Sequence, residues 1–326
     1  MKIVIPGGSG QVGTMLARAW TAAGHTVVVL SRTPTTAAAW RVVPWDARTL
    51  GAWTSEIDGA DVVVNLAGRN VNCRYTPANR RAIMDSRVES TRVIGQAIAM
   101  AKQPPRVWLQ SSTATIYAHR YDVANDEATG IIGGNEPDAP ASWAFSIAVA
   151  TAWEQAALDA ATPHTRKVLL RSAVTLSPDR GGIFDVLLGI VRWGLGGTNG
   201  DGRQYVSWIH DQDFIRAVDW LIAHPTISGP VNLAAPEPLP NAEFMRTLRG
   251  AWKAPIGLPA TRWMLSLGAL LMGTETELIL KSRRVIPGRL REHGFDFHFP
   301  TWNAAANDLC QRWRKQHGRT EKHGIS

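Results

Sequence analysis

The feature that most constrains this chain is the spacing of Gly7, Gly10 and Gly13 between two apolar patterns of different period. Ile3-Val4-Ile5 forms a short buried-strand run, and Val12, Leu16 and Ala19 then recur at helical spacing. The order is therefore strand, glycine turn, helix. Such a turn brings backbone close to a ligand at a helix N-terminus, where free N–H groups and the helix dipole favour an anion such as a pyrophosphate. The expected cofactor-binding set in this segment is Gly7, Ser9, Gly10, Gln11, Val12 and Gly13.

A second strand, His25–Leu30, ends at Ser31-Arg32. A chain that binds NAD would carry an acidic residue there for the ribose 2′-hydroxyl, whereas a small hydroxyl followed by Arg suits a 2′-phosphate. The expected cofactor is NADP(H), with Ser31 and Arg32 as ligands. The competing reading is a glycine-rich turn beside a solvated surface Arg.

Further along, Asp61–Leu66 reads as a strand, Asn79–Met100 as a helix and Arg106–Ser112 as a strand. Ala144–Ala161 then reads as a helix, Arg166–Val174 as a strand and Phe214–Ala223 as a helix. This alternation predicts an α/β, Rossmann-type doubly wound parallel sheet. After Gly229-Pro230, five prolines between Pro236 and Pro259 punctuate a loop-rich region, assigned to a smaller, mostly helical C-terminal lobe over the carboxyl edge of the sheet. The expected domains are 1–230 for dinucleotide binding, with 175–205 contributing to the substrate cleft, 231–310 for the lobe, and a basic frayed tail over 311–326.

At 326 residues with a net charge of +8, the chain is long enough for a large core, and its charge is spread rather than clustered. Nucleic acid is not an expected partner. Cys73 and Cys310 form neither a disulfide framework nor a metal-ligand spacing, so a reducing, cytoplasmic setting without metal is expected. Met1 leads directly into the first strand, so no signal peptide is expected. The apolar stretch Trp263–Met272 is too short to span a bilayer and reads as a core helix, so no membrane partner is expected.

In open α/β sheets ligands bind beyond the carboxyl ends of strands. Three such ends carry chemistry: Asn65-Leu66-Ala67-Gly68, a small-residue turn that can pass under a cofactor; Ser111–Tyr117, rich in hydroxyls; and Arg203–Asp211, which follows a glycine-rich loop. Turn capping by Ser and Thr accounts for the hydroxyls as readily as catalysis does.

These blocks, with Trp208-Ile-His-Asp-Gln-Asp213, resemble the extended short-chain dehydrogenase/reductases, the nucleotide-sugar epimerase and dehydratase superfamily. Cys73–Thr76, Asp85–Arg92, Trp153-Glu154, Glu275–Leu290 and Gly294–Phe297 resemble one branch of it, the epimerase family proteins that end in a small domain of unknown function. The resemblance implies a nicotinamide cofactor, a small-molecule substrate and a monomer or homodimer.

It also implies catalytic roles. Members use a Tyr, with a Lys four residues later, as acid or base. With Glu154 matched to the acid that ends this motif, Ser146 and Ala150 stand at those positions here, and neither can ionise near neutral pH. Thr113 matches the catalytic Ser or Thr and is expected to hydrogen-bond a substrate carbonyl. Tyr117, His119 and Tyr121 follow it and could each donate or accept a proton, at least two of them being expected as packing or rim residues; Tyr117 is the one assigned to catalysis. Arg87 stands where many relatives carry Asn, placing a charge near the nicotinamide or an anionic substrate, with a surface salt bridge as the competing role. His210 reads as a satisfied structural residue. Two function classes remain: an NADP-dependent oxidoreductase or epimerase acting on a carbonyl or nucleotide-sugar-like molecule, and a catalytically degenerate NADP(H)-binding sensor or scaffold.

Overall fold

The computed structural model describes residues 1–33, 38–136, 140, 143–260 and 277–317. Trp263–Met272, expected as a core helix, lies outside the described residues. The chain divides into two compact units, the first formed by Met1–Ile116, Ile132–Ser172 and Ile215–Asn232, and the second by Tyr117–Ile131, Ala173–Phe214 and Leu233–Ser326. The contiguous division expected at residue 230 is replaced by a discontinuous one.

The first unit is built on strands β1 (Lys2–Pro6), β2 (Thr26–Ser31), β3 (Arg41–Pro44), β4 (Val62–Asn65), β5 (Val107–Thr113), β6 (Arg166–Ser172) and β10 (Gly229–Leu233). Their order in the seven-stranded sheet is β10-β6-β5-β4-β1-β2-β3, and the pairings from β3 across to β6 are parallel. The order reverses direction between β1 and β4. With right-handed crossovers, that reversal sends the connecting helices to opposite faces and opens a crevice at the carboxyl ends of β1 and β4. The expected doubly wound α/β sheet is the one observed.

Helices α1 (Gln11–Ala22), α2 (Pro77–Met100) and α3 (Trp143–Leu158) cover it. The start of α2 is set by Thr76, whose hydroxyl accepts the Asn79 N–H at 3.2 Å, and by Pro77 in the first turn, where a missing N–H costs nothing. One core cluster gathers Val4, Val28, Leu30, Trp53, Val63, Ile94, Trp108 and Leu169, each at most 3% exposed. The edge strand β3 has no periodic signal in the sequence, because its residues are exposed or only half-buried.

The second unit holds β7 (Val174–Leu176) parallel to β9 (Trp208–His210), and β8 (Tyr205–Val206) antiparallel to β11 (Leu239–Pro240). Arg166–Val174 is thus not one strand: β6 ends at Ser172, and Ala173 donates its N–H to Leu233 O while Val174 donates to Ser207 O. Helices α4 (Ile183–Arg192), α6 (Asn241–Trp252) and three later ones, α7 (Glu277–Leu280), α8 (Gly288–Glu292) and α9 (Trp302–His317), make its C-terminal region helical. The α5 helix (Asp211–Ala223) begins in this unit and ends in the first. Phe184, Leu188, Trp208, Phe244, Trp302 and Leu309 form its core. Residues 311–317, expected as the start of a frayed tail, continue α9 because Arg312 pairs with Asp211 at 2.6 Å and with Asp308 at 3.2 Å.

No helix among the described residues is long and apolar enough to cross a membrane.

Candidate functional site

A cavity of about 670 Å³ opens in the first unit at the carboxyl ends of β1, β2 and β4. Its wall brings together eight of the expected cofactor residues: Gly7, Ser9, Gly10, Ser31, Arg32, Leu66, Ala67 and Gly68.

The three glycines of the motif are required for different reasons. Gly7 has φ +72°, and a Cβ there would lie 2.5 Å from the Ala67 backbone, so Gly7 lets the turns after β1 and β4 touch. A Cβ on Gly13 would lie 2.4 Å from Gly8, so Gly13 lets α1 pack onto the turn. Gly10 is different. Its backbone is extended, at φ −76° and ψ 174°, and a Cβ there meets nothing within 4 Å. Neither conformation nor packing within the protein requires glycine at the cavity wall. A missing side chain there leaves room for a ligand against the backbone.

The start of α1 has no side-chain cap and no acidic residue in its first turn. Its N-terminal N–H groups therefore remain available to an anion. Gln11 adds a buried side-chain nitrogen, Nε2, without a hydrogen-bond partner. An orphaned buried donor is costly, and a ligand acceptor would satisfy it. Val12 and Gly13 shape the helix start without lining the cavity.

At the end of β2, Ser31 is buried, and its hydroxyl exchanges hydrogen bonds with Thr33, accepting the N–H and donating to the carbonyl, both at 3.2 Å. Arg32 is exposed on the cavity wall and makes no hydrogen bond or ion pair among the described residues.

Asn65, expected to touch the cofactor, is fully buried beneath the site. Its amide donates to Gln110 at 3.0 Å and Thr91 at 3.3 Å, while its Oδ1 accepts the Ala67 N–H at 3.1 Å, fixing the turn that meets Gly7. Arg87 also supports this turn from below. Its Nη1 donates to the carbonyls of Arg69 and Ile83, and its guanidinium lies 5.0 Å from the Trp153 ring centroid. Burial lowers its pKa to about 10, against an opposing pull from Tyr75, so it stays cationic at neutral pH. The expected surface salt bridge is absent among the described residues.

Sequence reasoning missed the wall that follows β3. Trp45 donates its N–H to Ser31 O, and Asp46, Ala47 and Arg48 line the cavity beside Arg32. Asp46 accepts the N–H groups of Arg48 and Thr49 and the Thr49 hydroxyl, and these bonds, the hydroxyl first, hold its pKa down at about 2. The turn places Ala47 at φ +66°, a conformation rare for a residue with a side chain. Arg48 Nε reaches Glu89 of α2 at 2.7 Å. The signal available in the sequence was the Asp46-x-x-Thr49 pattern of a capped turn.

At the end of β5, Thr113 is half-buried and its Oγ1 accepts the Thr115 N–H at 3.1 Å, which leaves the hydroxyl proton to donate elsewhere. Its neighbour Ser112 donates to Glu154 at 2.5 Å, and Arg171 grips the same carboxylate through Nε and Nη2, both at 2.8 Å. This buried triad ties the end of β5 to α3 and β6. On α3, Ser146 is half-buried and Ala150 fully buried.

Tyr117 belongs to the second unit and is 2% exposed, its ring lying where a Cβ on Gly130 would otherwise sit. His119 accepts the Ser282 N–H through Nδ1 at 2.7 Å. His210 is fully buried, with Nε2 on Asp308 at 2.9 Å, Nδ1 accepting the Gln212 N–H and the ring stacked on Phe299 at 3.8 Å. It is a satisfied structural residue.

Residues 3–234 match the NAD dependent epimerase/dehydratase family, and residues 260–309 match a domain of unknown function, DUF1731. Epimerase family protein SDR39U1 of Bos taurus is 31% identical over 95% of this chain and 99% of its own length. Epimerase family protein Mb2239 of Mycobacterium bovis is 32% identical over 92% of this chain and 94% of its own. The crystal structure of human epimerase family protein SDR39U1 (isoform 2) with NADPH superposes with a TM-score of 0.82 at 28% identity, covering 95% of this chain and 99% of that one. On the strength of these matches and of the sheet order, this chain belongs to the NAD dependent epimerase/dehydratase family.

Proposed function

We propose that the chain is an NADP(H)-dependent oxidoreductase or epimerase acting on a small carbonyl or nucleotide-sugar-like molecule. The observation that carries the cofactor assignment is Gly10, a glycine on the cavity wall that neither backbone conformation nor packing requires and that leaves room for a ligand against the backbone. The N-terminal N–H groups of α1 and the Gln11 amide would hold the pyrophosphate, and Leu66, Ala67 and Gly68 would pass under the nicotinamide half. Preference for the 2′-phosphate rests on Arg32, a cation on the wall where an acid would select NAD. The human relative with NADPH supports the same choice.

When bound, the nicotinamide supplies hydride exchange with a carbon that bears oxygen. The residues of this chain would orient the substrate and stabilise charge. Thr113 donates its hydroxyl proton to the substrate oxygen while its own oxygen is held by the Thr115 N–H. The Ser112–Glu154–Arg171 triad keeps that hydroxyl in place. Tyr117, buried beside Gly130, is the candidate for proton transfer, with His119 and Tyr121 as the alternatives. The second reading, a cofactor-binding sensor without turnover, is favoured by the buried Ala150 at the position of the family's Lys.

Fluorescence titration tests the cofactor assignment. NADPH is expected to bind at least about tenfold more tightly than NADH, about 1.4 kcal/mol. Equal affinities, or an Arg32→Ala variant that keeps the preference, would remove it. A screen of carbonyl compounds for NADPH oxidation separates the enzyme from the sensor.

A further inference from the structure

Arg87 carries a charge that no carboxylate among the described residues neutralises; its printed hydrogen bonds go to carbonyl oxygens. The side chain reaches from α2 to the turn after β4, where a Cβ on Gly68 would lie 3.2 Å from the Arg87 Cζ. Gly68 itself lines the cavity. The guanidinium also lies against α3 at Trp153, three residues beyond Ala150. A cation desolvated in this way stabilises whatever anion can form beside it.

The group beside it that can form an anion is Tyr75. A negative charge on this phenol holds Arg87 protonated against the effect of burial, and by the same interaction Arg87 favours the phenolate. Tyr75 is half-buried in the segment between the turn and α2, and two contacts fix it there. Its carbonyl accepts the Arg80 Nε–H at 3.0 Å, and its ring meets the Phe145 ring edge to face, with centroids 5.2 Å apart. Phe145 also receives the Arg80 guanidinium at 4.9 Å and directly precedes Ser146 on α3. The charges that α2 brings to Tyr75 are therefore positive, Arg80 and Arg87. The carboxylates Glu89 of α2 and Glu154 of α3 are bound elsewhere, the first to Arg48 and the second to Ser112 and Arg171. Arg69 of the turn donates to Asn79 at 3.0 Å. Tyr75, Arg87 and Phe145 belong to the first unit, as Thr113 does, whereas Tyr117 belongs to the second and is 2% exposed.

We propose that Tyr75 is the proton donor in reduction and the acceptor in oxidation, with Arg87 as its positioning residue, a pair that supplies what Ser146 and Ala150 cannot. This rests on the hydride chemistry proposed above and moves proton transfer from Tyr117 to Tyr75. In reduction the carbonyl carbon takes a hydride from the reduced nicotinamide, and the C–O π pair takes the Tyr75 phenolic proton to complete the hydroxyl. The phenolate left beside Arg87 is reprotonated by water, and oxidation runs the same steps in reverse.

The chain holds four tyrosines, Tyr75, Tyr117, Tyr121 and Tyr205. Carbon-13 labelling of tyrosine at Cζ therefore lets an NMR titration of the cofactor-free protein follow each phenol, assigned with single Tyr→Phe variants. Tyr75 is expected to ionise first of the four, to lose that lead in Arg87→Gln and to keep it in Arg87→Lys. In steady-state assays Tyr75→Phe is expected to lower turnover about a hundred- to ten-thousandfold while NADPH affinity stays within about twofold. Removing one oxygen keeps the ring against Phe145, so this arm does not depend on whether Arg87→Gln folds. Another tyrosine ionising first, or a Tyr75 titration that Arg87→Gln leaves unmoved, overturns the pairing whether or not a substrate is found. A Tyr75→Phe variant that turns over at the wild-type rate, or a loss of that size in Tyr117→Phe instead, overturns the proton-transfer role and leaves the oxidoreductase reading standing. A wild type that binds NADPH yet turns over no carbonyl compound overturns both.

Discussion

The cavity of the first unit and the His210 cluster of the second treat polar groups in opposite ways. Around the cavity, Arg32 on the wall, the buried Gln11 Nε2 and the first N–H groups of α1 have no protein partners among the described residues. Around His210, the groups satisfy one another: the imidazole joins Asp308, Arg312 joins both Asp308 and Asp211, and Asp213 accepts the N–H groups of His298 and Phe299. Binding requires donors left over after folding, and a cross-brace requires none. That difference separates a ligand site from a structural network more reliably than residue type, since both regions contain Arg and carboxylates.

The strongest way to break the comparison lies at Thr113. If its free hydroxyl proton serves a substrate, Thr113→Val lowers turnover about ten- to a thousandfold, on the order of removing one oxyanion donor, while NADPH affinity stays within about twofold. Steady-state rates with any carbonyl substrate found by screening decide this. An unchanged rate would make Thr113 a turn residue of the kind seen around His210.

The next effect contrasts two glycines in one turn. Gly7→Ala places a Cβ 2.5 Å from backbone at positive φ, and the expected loss of stability is about 2–4 kcal/mol in urea unfolding. Gly10→Val adds its side chain to open space. It is expected to leave stability within about 0.5 kcal/mol and to weaken NADPH binding at least about tenfold. A Gly10 variant that binds normally would show that the missing Cβ serves nothing.

The smallest expected effect is on pH dependence in the second unit. Burial lowers the pKa of His210, only partly opposed by Asp211 and Asp308, so the folded state favours the neutral ring. The unfolded chain takes up the proton first as pH falls below the ordinary value near 6.5. This contribution is therefore complete above that pH and is lost below it. Thermal melts of His210→Gln should show a shallower decline between about pH 6.5 and 5 than the wild type. Parallel curves would place the titrating group elsewhere.

What could be read from the sequence was local. The β1–turn–α1 segment, the end of β2 and the turn after β4 lie within a few residues of their own signals, and eight residues named from them meet at one cavity. What was missed depends on distant partners or on unusual backbone. The wall from Trp45 to Arg48 follows an edge strand without periodicity and turns at a left-handed Ala47. Asn65 and Arg87 were named because they sit beside the turn; the long-range partners that hold them, Gln110 and Thr91 for Asn65 and Trp153 for Arg87, carry no local signal. Arg312 resembled a solvated tail because Asp211, which holds it, is 101 residues away.

The interleaving of the two units has a consequence for how the chain is made. Strand β10 joins the sheet beside β6, but its residues, Gly229–Leu233, leave the ribosome only after Ala173–Phe214 of the other unit. Until then β6 is an uncovered edge, with Val168, Leu169 and Leu170 in its middle. An exposed apolar edge of this kind is a template for pairing with another nascent chain. The interval between synthesis of Ser172 and Leu233 is then a stage at which an apolar strand edge stands without the strand that covers it in the finished sheet.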